Sequence, residues 1–214
     1  LQGHLRRVQL HWSTARYAPW QEVQLLDGLA ARVLDGSISE IGVSNIGPKR
    51  LAWMQQRLAE RGVPLRSVQV QYSLLSPGDA KVDALRQLCR ERGIEVLAYS
   101  PLAFGVLTLP PDGERRPRTV LQRQLLARLQ PASRSLRAIV ATIAGQRSVS
   151  MAQVALNWCR AQWTTPIPGL RTPDQARDVA GALQWSLTSA ELDQLTMARQ
   201  QCTVRTPSNP FQSA

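Results

Sequence analysis

Five short apolar segments, each followed by a stretch with helical periodicity, constrain the fold of this 214-residue chain more than any other feature. Each segment has the length of a buried strand, and the stretches between them repeat apolar residues at the spacing of an amphipathic helix. Strands that alternate with helices predict an α/β fold with a parallel sheet. The predicted strands are residues 8–12, 40–45, 67–73, 95–100 and 164–169.

Polar or small residues stand at or just after the end of every predicted strand. In a (β/α) barrel the carboxyl ends of all strands form one active-site face, whereas a doubly wound sheet uses only the loops at its switch point. Groups at five successive strand ends favour the barrel, and the chain lacks the GxGxxG fingerprint of a Rossmann unit. These groups are His11; Ser44 and Asn45; Gln69, Gln71 and Ser73; Tyr99 and Ser100; and Gly169 and Arg171.

The net charge of +11 raises the question of a nucleic-acid partner. Most arginines are scattered over predicted polar helix faces, and only residues 115–118, followed by Arg123 and Arg128, form a dense run. Nucleic-acid binding usually needs a continuous basic stripe, often with interleaved aromatics. We therefore expect no nucleic-acid partner, and a basic nucleic-acid binder is the less favoured alternative.

Several sequence features bear on the compartment. No stretch approaches the roughly 18 apolar residues of a membrane-spanning helix, so we expect no membrane partner. Residues 1–10 lack the apolar core of a signal peptide. The three cysteines form no CxxC motif or His-Cys pair, which predicts a reducing compartment and no metal site. We expect a cytoplasmic protein, or one of the plastid stroma if the source is a photosynthetic eukaryote.

Six segments, in the same order and spacing, resemble those of the aldo-keto reductase family, particularly its bacterial and plastid branch. The resemblance implies a (β/α)8 TIM barrel that binds NADP(H) and reduces aldehydes or ketones to alcohols, with a small carbonyl compound as substrate. The segments are residues 9–12 (QLHW), 42–45 (GVSN), 68–73 (VQVQYS), 98–102 (AYSPL), 152–158 (AQVALNW) and 166–169 (PIPG), the last followed by Arg171 and Gln175.

The resemblance also implies roles at the nicotinamide end of the cofactor. His11 matches the family's catalytic histidine, which lies beside the substrate carbonyl oxygen and orients it. Ser44, Asn45 and Gln69 match the groups that hydrogen-bond the nicotinamide carboxamide, and Tyr99 matches the aromatic ring that stacks on the nicotinamide. A structural interpretation stays open for each: a core histidine, a helix cap before Pro48 for Ser44 and Asn45, a polar layer in which Gln69 bonds Gln71, and core packing for Tyr99.

Other residues match the phosphate and adenosine end. Ser100, Leu102 and Gly105 match the loop over the pyrophosphate. Gly169 and Arg171 precede a predicted helix start at Pro173, where a cation and a helix N-terminus suit a 2′-phosphate, so Arg171 favours NADP over NAD. The positions near the adenosine are matched by Gln175 and Asp178, whereas Val179 departs from the usual asparagine.

The match begins at the family's fourth barrel strand, so we expect an N-terminally truncated barrel with about five of its eight strands. The tyrosine, lysine and aspartate of the family's proton-donating group have no counterpart, which predicts that this chain is inactive alone. Arg6 and Arg7 depart from the family's more apolar strand. We expect residues 1–202 to form a partial reductase domain and residues 203–214 an extended, poorly specified tail. A non-catalytic NADP(H)-binding sensor or subunit is the alternative function.

Overall fold

The predicted alternation of strands and helices is confirmed in the computed structural model, which describes residues 5–15, 17–78, 80–117 and 119–208. Two short 3₁₀ helices, Ala103–Thr108 and Ala182–Gln184, add to the regular elements. The strands are β1 (Leu5–Leu10), β2 (Ile38–Ser44), β3 (Leu65–Gln71), β4 (Glu95–Tyr99) and β5 (Thr165–Ile167). The helices are α1 (Pro19–Leu34), α2 (Pro48–Ala59), α3 (Ala80–Glu91), α4 (Val120–Ala132), α5 (Arg134–Arg147), α6 (Met151–Ala161), α7 (Pro173–Gly181) and α8 (Ser189–Gln201).

The five strands follow one another in the sheet in the order of the chain, β1-β2-β3-β4-β5. β1 pairs with β2, and β2 with β3, in parallel; Ser44 lies opposite Gln69. Barrels have this sequential strand order, whereas in doubly wound sheets the order of the strands reverses at a switch point. The order therefore supports the barrel-type arrangement over the doubly wound one.

The chain divides into two compact units. Among the described residues, unit 1 comprises 5–70 and 78–97, and unit 2 comprises 71–77 and 98–208. In unit 1, helices α1 to α3 bury their apolar stripes, as Leu26, Leu51 and Leu85 show by their complete burial. No helix among the described residues is long and apolar enough to cross a membrane.

The first strand accommodates the charges that made its sequence unusual. Arg7 donates from Nε to Glu40 (2.7 Å) and from Nη1 to Glu95 (2.6 Å), both within unit 1. The Arg7 guanidinium beside it holds the pKa of the Glu40 carboxyl below its usual value. These partners stabilise the charged first half of the strand, which is why β1 can begin as early as Leu5. It ends at Leu10, so the predicted bounds of 8–12 were wrong.

Part of the predicted tail is anchored in unit 2. Val204 and Thr206 are buried, the Thr206 amide donates to the Leu75 carbonyl (2.7 Å), and the Gln71 side chain donates to the Thr206 hydroxyl (3.0 Å). Residues 203–208 have no helix or strand, but these bonds give them a specified place. Residues 209–214 lie outside the described part, and the division at 202/203 stays a prediction.

Candidate functional site

Four predicted site residues of unit 1 meet at the ends of β1, β2 and β3; we call His11, Ser44, Asn45 and Gln69 the strand-end cluster. Ser44 and Asn45 are 2% and 3% exposed. The Ser44 hydroxyl (3.0 Å) and the Asn45 backbone amide (2.9 Å) both donate to the Gln69 carbonyl. Asn45 Nδ2 donates to the His11 carbonyl (3.1 Å) and to Ser44 Oγ (3.0 Å). Two side chains thus fasten three strand ends together.

The helix-cap interpretation of Ser44 and Asn45 was wrong. α2 begins at Pro48 with Gly47 as its N-cap, and no side chain makes a capping hydrogen bond to this helix start. Asn45 has a φ of 58°, in the left-handed region that asparagine adopts more readily than most residues. This turn of the backbone away from β2 places the Asn45 side-chain amide within reach of the His11 carbonyl, just after β1.

His11 follows β1 rather than ending it, and its side chain is exposed, so it is not a buried core histidine. Its ring lies 4.3 Å from the Trp12 ring, centroid to centroid, and Trp12 Nε1 donates to the Tyr17 hydroxyl (2.7 Å). The described bond to His11 is made by its carbonyl and leaves the imidazole to other partners. The catalytic role of His11 stays a prediction.

The Gln69 side chain is the exception in the strand-end cluster. It is half-buried, and its amide makes no hydrogen bond within the described part of the chain. Gln71, its predicted partner, bonds Thr206 instead, so the polar-layer interpretation was wrong. Two residues before Gln69, the Ser67 hydroxyl accepts a hydrogen bond from the Gln9 side chain (3.1 Å). A Cβ at Gly42 would collide with the Ser67 hydroxyl and the Gln9 side chain, which explains the glycine in β2.

Seven predicted site residues of unit 2 line one cavity of about 580 Å³, which we call the Arg171 cavity. Its wall comes from the segment after β4, from α4, from the start of α6 and from the segment after β5 through α7. The seven are Ser100, Leu102, Gly105, Gly169, Arg171, Gln175 and Asp178.

The segment after β4 has an unusual backbone. Ser100, Ala103, Phe104 and Gly105 all have φ between 47° and 83°. Arg115, which also lines the cavity, donates from Nη1 to the Phe104 carbonyl (2.8 Å), and a Cβ at Gly105 would collide with its guanidinium. Sequence reasoning missed Arg115 at this site because its dense basic surroundings pointed only to the nucleic-acid alternative.

Two capped helix N-termini lie at the Arg171 cavity. Ser150, in the wall, caps α6 by accepting from the Gln153 amide (3.1 Å). Thr172, between Arg171 and the lining residue Gln175, caps α7 by accepting from the Gln175 amide (3.2 Å). The partial positive charge of a helix N-terminus favours an anion nearby.

Arg171 is exposed, and its guanidinium has no acidic partner in the described part of the chain. Its backbone amide donates to Gln175 Oε1 (2.8 Å), so the Gln175 side chain holds the turn that precedes α7. A Cβ added at Gly169 would meet no atom within 4 Å, so open space faces this glycine. The cation and the open space suit an anionic ligand.

Asp178 lines the cavity with its carboxylate already bonded. Ser150 Oγ (2.9 Å) and Gln153 Nε2 (3.0 Å) donate to it, and Trp185 Nε1 donates to Gln153 (3.0 Å). These bonds join α6 to α7 beneath the cavity wall. Tyr99 is not a lining residue; its carbonyl accepts from the Tyr72 amide (3.2 Å), and its predicted stacking role remains untested.

No group of three His, Cys, Asp or Glu among the described residues is placed to hold a metal ion. The three cysteines, Cys89, Cys159 and Cys202, are buried, and none of them forms a disulfide. Burial raises the pKa of the Cys89 thiol to about 12, which keeps it protonated and unreactive.

Comparison with known proteins identifies the family of the chain. The Aldo/keto reductase family profile matches residues 4–200. The chain belongs to the aldo/keto reductase family. The chloroplastic pyridoxal reductase of Arabidopsis thaliana is 42% identical to it over 208 residues, which are 96% of this chain and 56% of that protein. The L-glyceraldehyde 3-phosphate reductase of Escherichia coli K12 is 32% identical over 137 residues, 61% of this chain and 39% of that protein.

Solved structures show the same fold. A glycerol dehydrogenase from Gluconobacter oxydans has a TM-score of 0.76 at 21% identity, over 98% of this aldo/keto reductase chain and 63% of that one. A thermostable aldo-keto reductase has a TM-score of 0.67 at 21% identity, over 91% and 60%. The chain spans about half the length, or less, of the two curated relatives named above.

Proposed function

We propose that the Arg171 cavity binds NADP(H) and that the whole protein transfers a hydride between NADP(H) and a small aldehyde or ketone. The Arg171 guanidinium supports this most directly, because it lines the cavity without an acidic partner in the described part of the chain. A phosphate monoester forms strong charge-assisted bonds with such a group, and NAD lacks the 2′-phosphate.

The remaining lining residues fit the same ligand. The volume of about 580 Å³ lies within the range of small-molecule sites. The N-termini of α6 and α7 and the Arg115 guanidinium add positive potential where phosphates would lie. When bound, NADPH supplies the hydride; the chain's own residues bind and orient it.

The substrate class is proposed from the relatives. Pyridoxal and glyceraldehyde 3-phosphate, named for the plant and bacterial relatives, are both aldehydes. We therefore propose aldehydes or ketones as substrates of the whole protein. His11, Ser44, Asn45, Gln69 and Tyr99 keep their roles at the nicotinamide end as part of this proposal.

We further propose that this chain binds the cofactor without turning it over. The resemblance assigns proton donation to a tyrosine assisted by a lysine and an aspartate. The two lysines of the sequence, Lys49 and Lys81, lie in the first turns of α2 and α3. Both lie at helix starts, and the resemblance matches neither of them to that lysine.

The test of binding is isothermal titration of the 214-residue chain with NADPH and with NADH. We expect NADPH to bind at least about tenfold more tightly, because the 2′-phosphate adds charge-assisted bonds. Arg171→Gln should remove most of that preference. Arg177→Gln is the matched control, since Arg177 is exposed on α7, the helix that follows Arg171, pairs with Asp174 and does not line the cavity. Equal affinities for the two nucleotides would contradict the proposal.

A second experiment separates binding from catalysis. NADPH consumption is followed with 4-nitrobenzaldehyde as a simple aldehyde substrate. We expect no turnover by this chain, and robust turnover would mean that it contains its own proton donor. Tight NADPH binding without turnover by the whole protein would instead favour the sensor or subunit.

We also infer a reducing compartment, because none of the three buried cysteines forms a disulfide. The cytoplasm fits this inference, as does the plastid stroma in a photosynthetic source. The chloroplastic plant relative supports the second option.

A further inference from the structure

Unit 2 contains a second cavity, of about 520 Å³, which we call the arginine cavity. The segment between the first 3₁₀ helix and α4 forms one side, and α4 and the start of α5 form the other. Its charged lining residues are five arginines, Arg115, Arg116, Arg123, Arg134 and Arg137, and two acids, Asp112 and Glu114.

Arg137 builds this cavity. It is 2% exposed and donates to the carbonyls of Pro110, Gly113 (3.1 Å, from Nη1) and Gln130 (2.8 Å, from Nη2). No carboxylate bonds it in the described part of the chain. Carbonyl oxygens accept from its Nη1 and Nη2 but do not neutralise its charge, and its buried Nε has no hydrogen-bond partner among the described residues. A buried cation with an unused donor therefore stands at the cavity wall without a bond to a carboxylate.

The other charges do not cancel either. Asp112 pairs with Arg134 (2.5 Å). Glu114 then remains as the one unpaired acid among the described lining residues, against Arg115, Arg116, Arg123 and Arg137. These four arginines have no carboxylate partner in the part of the chain that the structure describes. The cavity therefore has a strong excess of positive charge.

The segment that presents Arg115 and Arg116 is fixed in place. The Gly113 amide donates to the Pro110 carbonyl (2.9 Å), and a Cβ at Gly113 would crowd the Pro110 ring. The Arg115 amide donates to Gln130 Oε1 (2.5 Å) on α4. Since the backbone is already ordered, a ligand need not supply the free energy of ordering this segment.

We propose that the arginine cavity binds a small phosphate-type oxyanion, at a site other than the Arg171 cavity. Guanidinium groups match the bidentate geometry of phosphate oxygens. A cavity of about 520 Å³ accommodates a pyrophosphate or a small phosphoester. Arg115 lines both cavities, so the test variants leave it unchanged.

The experiment is isothermal titration of the full chain with inorganic pyrophosphate at constant ionic strength. The double variant Arg116→Gln, Arg123→Gln should weaken binding at least about tenfold, because two charge-assisted contacts are lost. Both side chains are exposed, so the variant should fold, which its circular dichroism and urea midpoint check.

Two controls locate the anion. Arg6→Gln, Arg66→Gln removes the same charge from exposed positions of unit 1, and Arg171→Gln removes the cation of the other cavity. The unit 1 control should bind pyrophosphate within about twofold of wild type, since exposed charges outside a binding site are screened by salt. Arg171→Gln should lose less affinity than the Arg116→Gln, Arg123→Gln variant, because it leaves every lining residue of the arginine cavity in place. Arg171→Gln also separates this proposal from the cofactor proposal, because either can fail while the other holds.

Three results would overturn the proposal: unchanged binding in the Arg116→Gln, Arg123→Gln variant, an equal loss in the unit 1 control, or an equal or larger loss in Arg171→Gln. Tighter binding of single-stranded RNA than of pyrophosphate, with the same arginine dependence, would overturn it in favour of a nucleic-acid partner. Titration with inorganic phosphate and with glycerol 3-phosphate then identifies the source. Comparable affinities mean that the cavity accepts a phosphate on an organic molecule, and binding of the inorganic anion alone means a free-anion site.

Discussion

The strand-end cluster of unit 1 and the Arg171 cavity of unit 2 use their polar groups in opposite ways. In the cluster, both donors of the Asn45 amide and the Ser44 hydroxyl are bonded to neighbouring groups. In the cavity, the Arg171 guanidinium has no acidic partner among the described residues. The same family resemblance predicts cofactor contacts in both regions. The difference teaches that a matched residue can hold the fold, hold a ligand, or do both, and that its existing bonds distinguish these cases.

Asn45→Ala should have the largest effect, on stability. It removes the donor of the part-buried bond to the His11 carbonyl and places alanine at a φ of 58°. We expect a loss of about 2–4 kcal/mol in the free energy of unfolding, measured by urea denaturation. Asn45→Gly relieves the backbone strain without restoring the bonds, so it should recover only the smaller part. A loss below about 1 kcal/mol would mean that the cluster does not fasten the strands.

Arg171→Gln should show the opposite behaviour. We expect NADPH affinity to fall about 10- to 100-fold, which is about 1.4–2.8 kcal/mol, with no such effect on NADH. The urea midpoint should stay within the range of an exposed substitution, since the guanidinium bonds no carboxylate in the described residues. A large loss of stability would remove the contrast between the two regions.

The free energy of unfolding should fall in acid partly because of one carboxylate of unit 2, that of Glu191. Hydrogen bonds from Arg147 and Thr188 lower the pKa of Glu191 to about 2 from the ordinary 4.5, against desolvation, which raises it. A depressed folded-state pKa adds stability above pH 4.5, and this is lost as the pH falls towards 2. After allowing for solvent screening, we expect Glu191→Gln to remove about 1 kcal/mol near neutral pH and to flatten the acid limb of the curve.

The measurement is the urea midpoint as a function of pH. Asp193→Asn, an exposed change on the same helix, is the control and should keep the acid limb of the wild type. Equal slopes for wild type and Glu191→Gln would show that the Arg147–Glu191 pair contributes nothing measurable.

Gln69→Leu should have the smallest effect on stability and is the sharpest test of unit 1. Its side chain bonds nothing in the described part of the chain, so we expect a change within about 0.5 kcal/mol. The proposed carboxamide role predicts a several-fold loss of NADPH affinity at the same time, measured by titration. Unchanged affinity would leave the whole strand-end cluster with a structural role alone.

The part of the fold that could be predicted from the sequence is the part that depends on patterns among neighbouring residues. Apolar periodicity is a property of neighbouring residues, so the strands and helices were found, and Pro48 was correctly placed in the first turn of α2. The bounds of β1 depend on Arg7, whose partner Glu95 lies 88 residues away. A local pattern spans far fewer residues than this separation, so it cannot predict the pair.

The site shows the same limit. The seven predicted residues that line the Arg171 cavity were found from their match to the family. Arg115 could not be found in this way, because its position depends on bonds to Phe104 and Gln130, in elements that the sequence does not bring together. Nor does a motif state whether a polar group is already bonded, which is what distinguishes Asn45 from Arg171.

Phe104 limits how far this protein can be stabilised. It is 46% exposed, lines the Arg171 cavity and has a φ of 59°, a conformation that an aromatic residue adopts at a cost of about 1–2 kcal/mol. Glycine would remove that cost together with the aromatic wall of the cavity. Selection for thermal tolerance alone would therefore drift towards glycine at this position and erode the cavity, whereas selection for ligand binding would retain the strain.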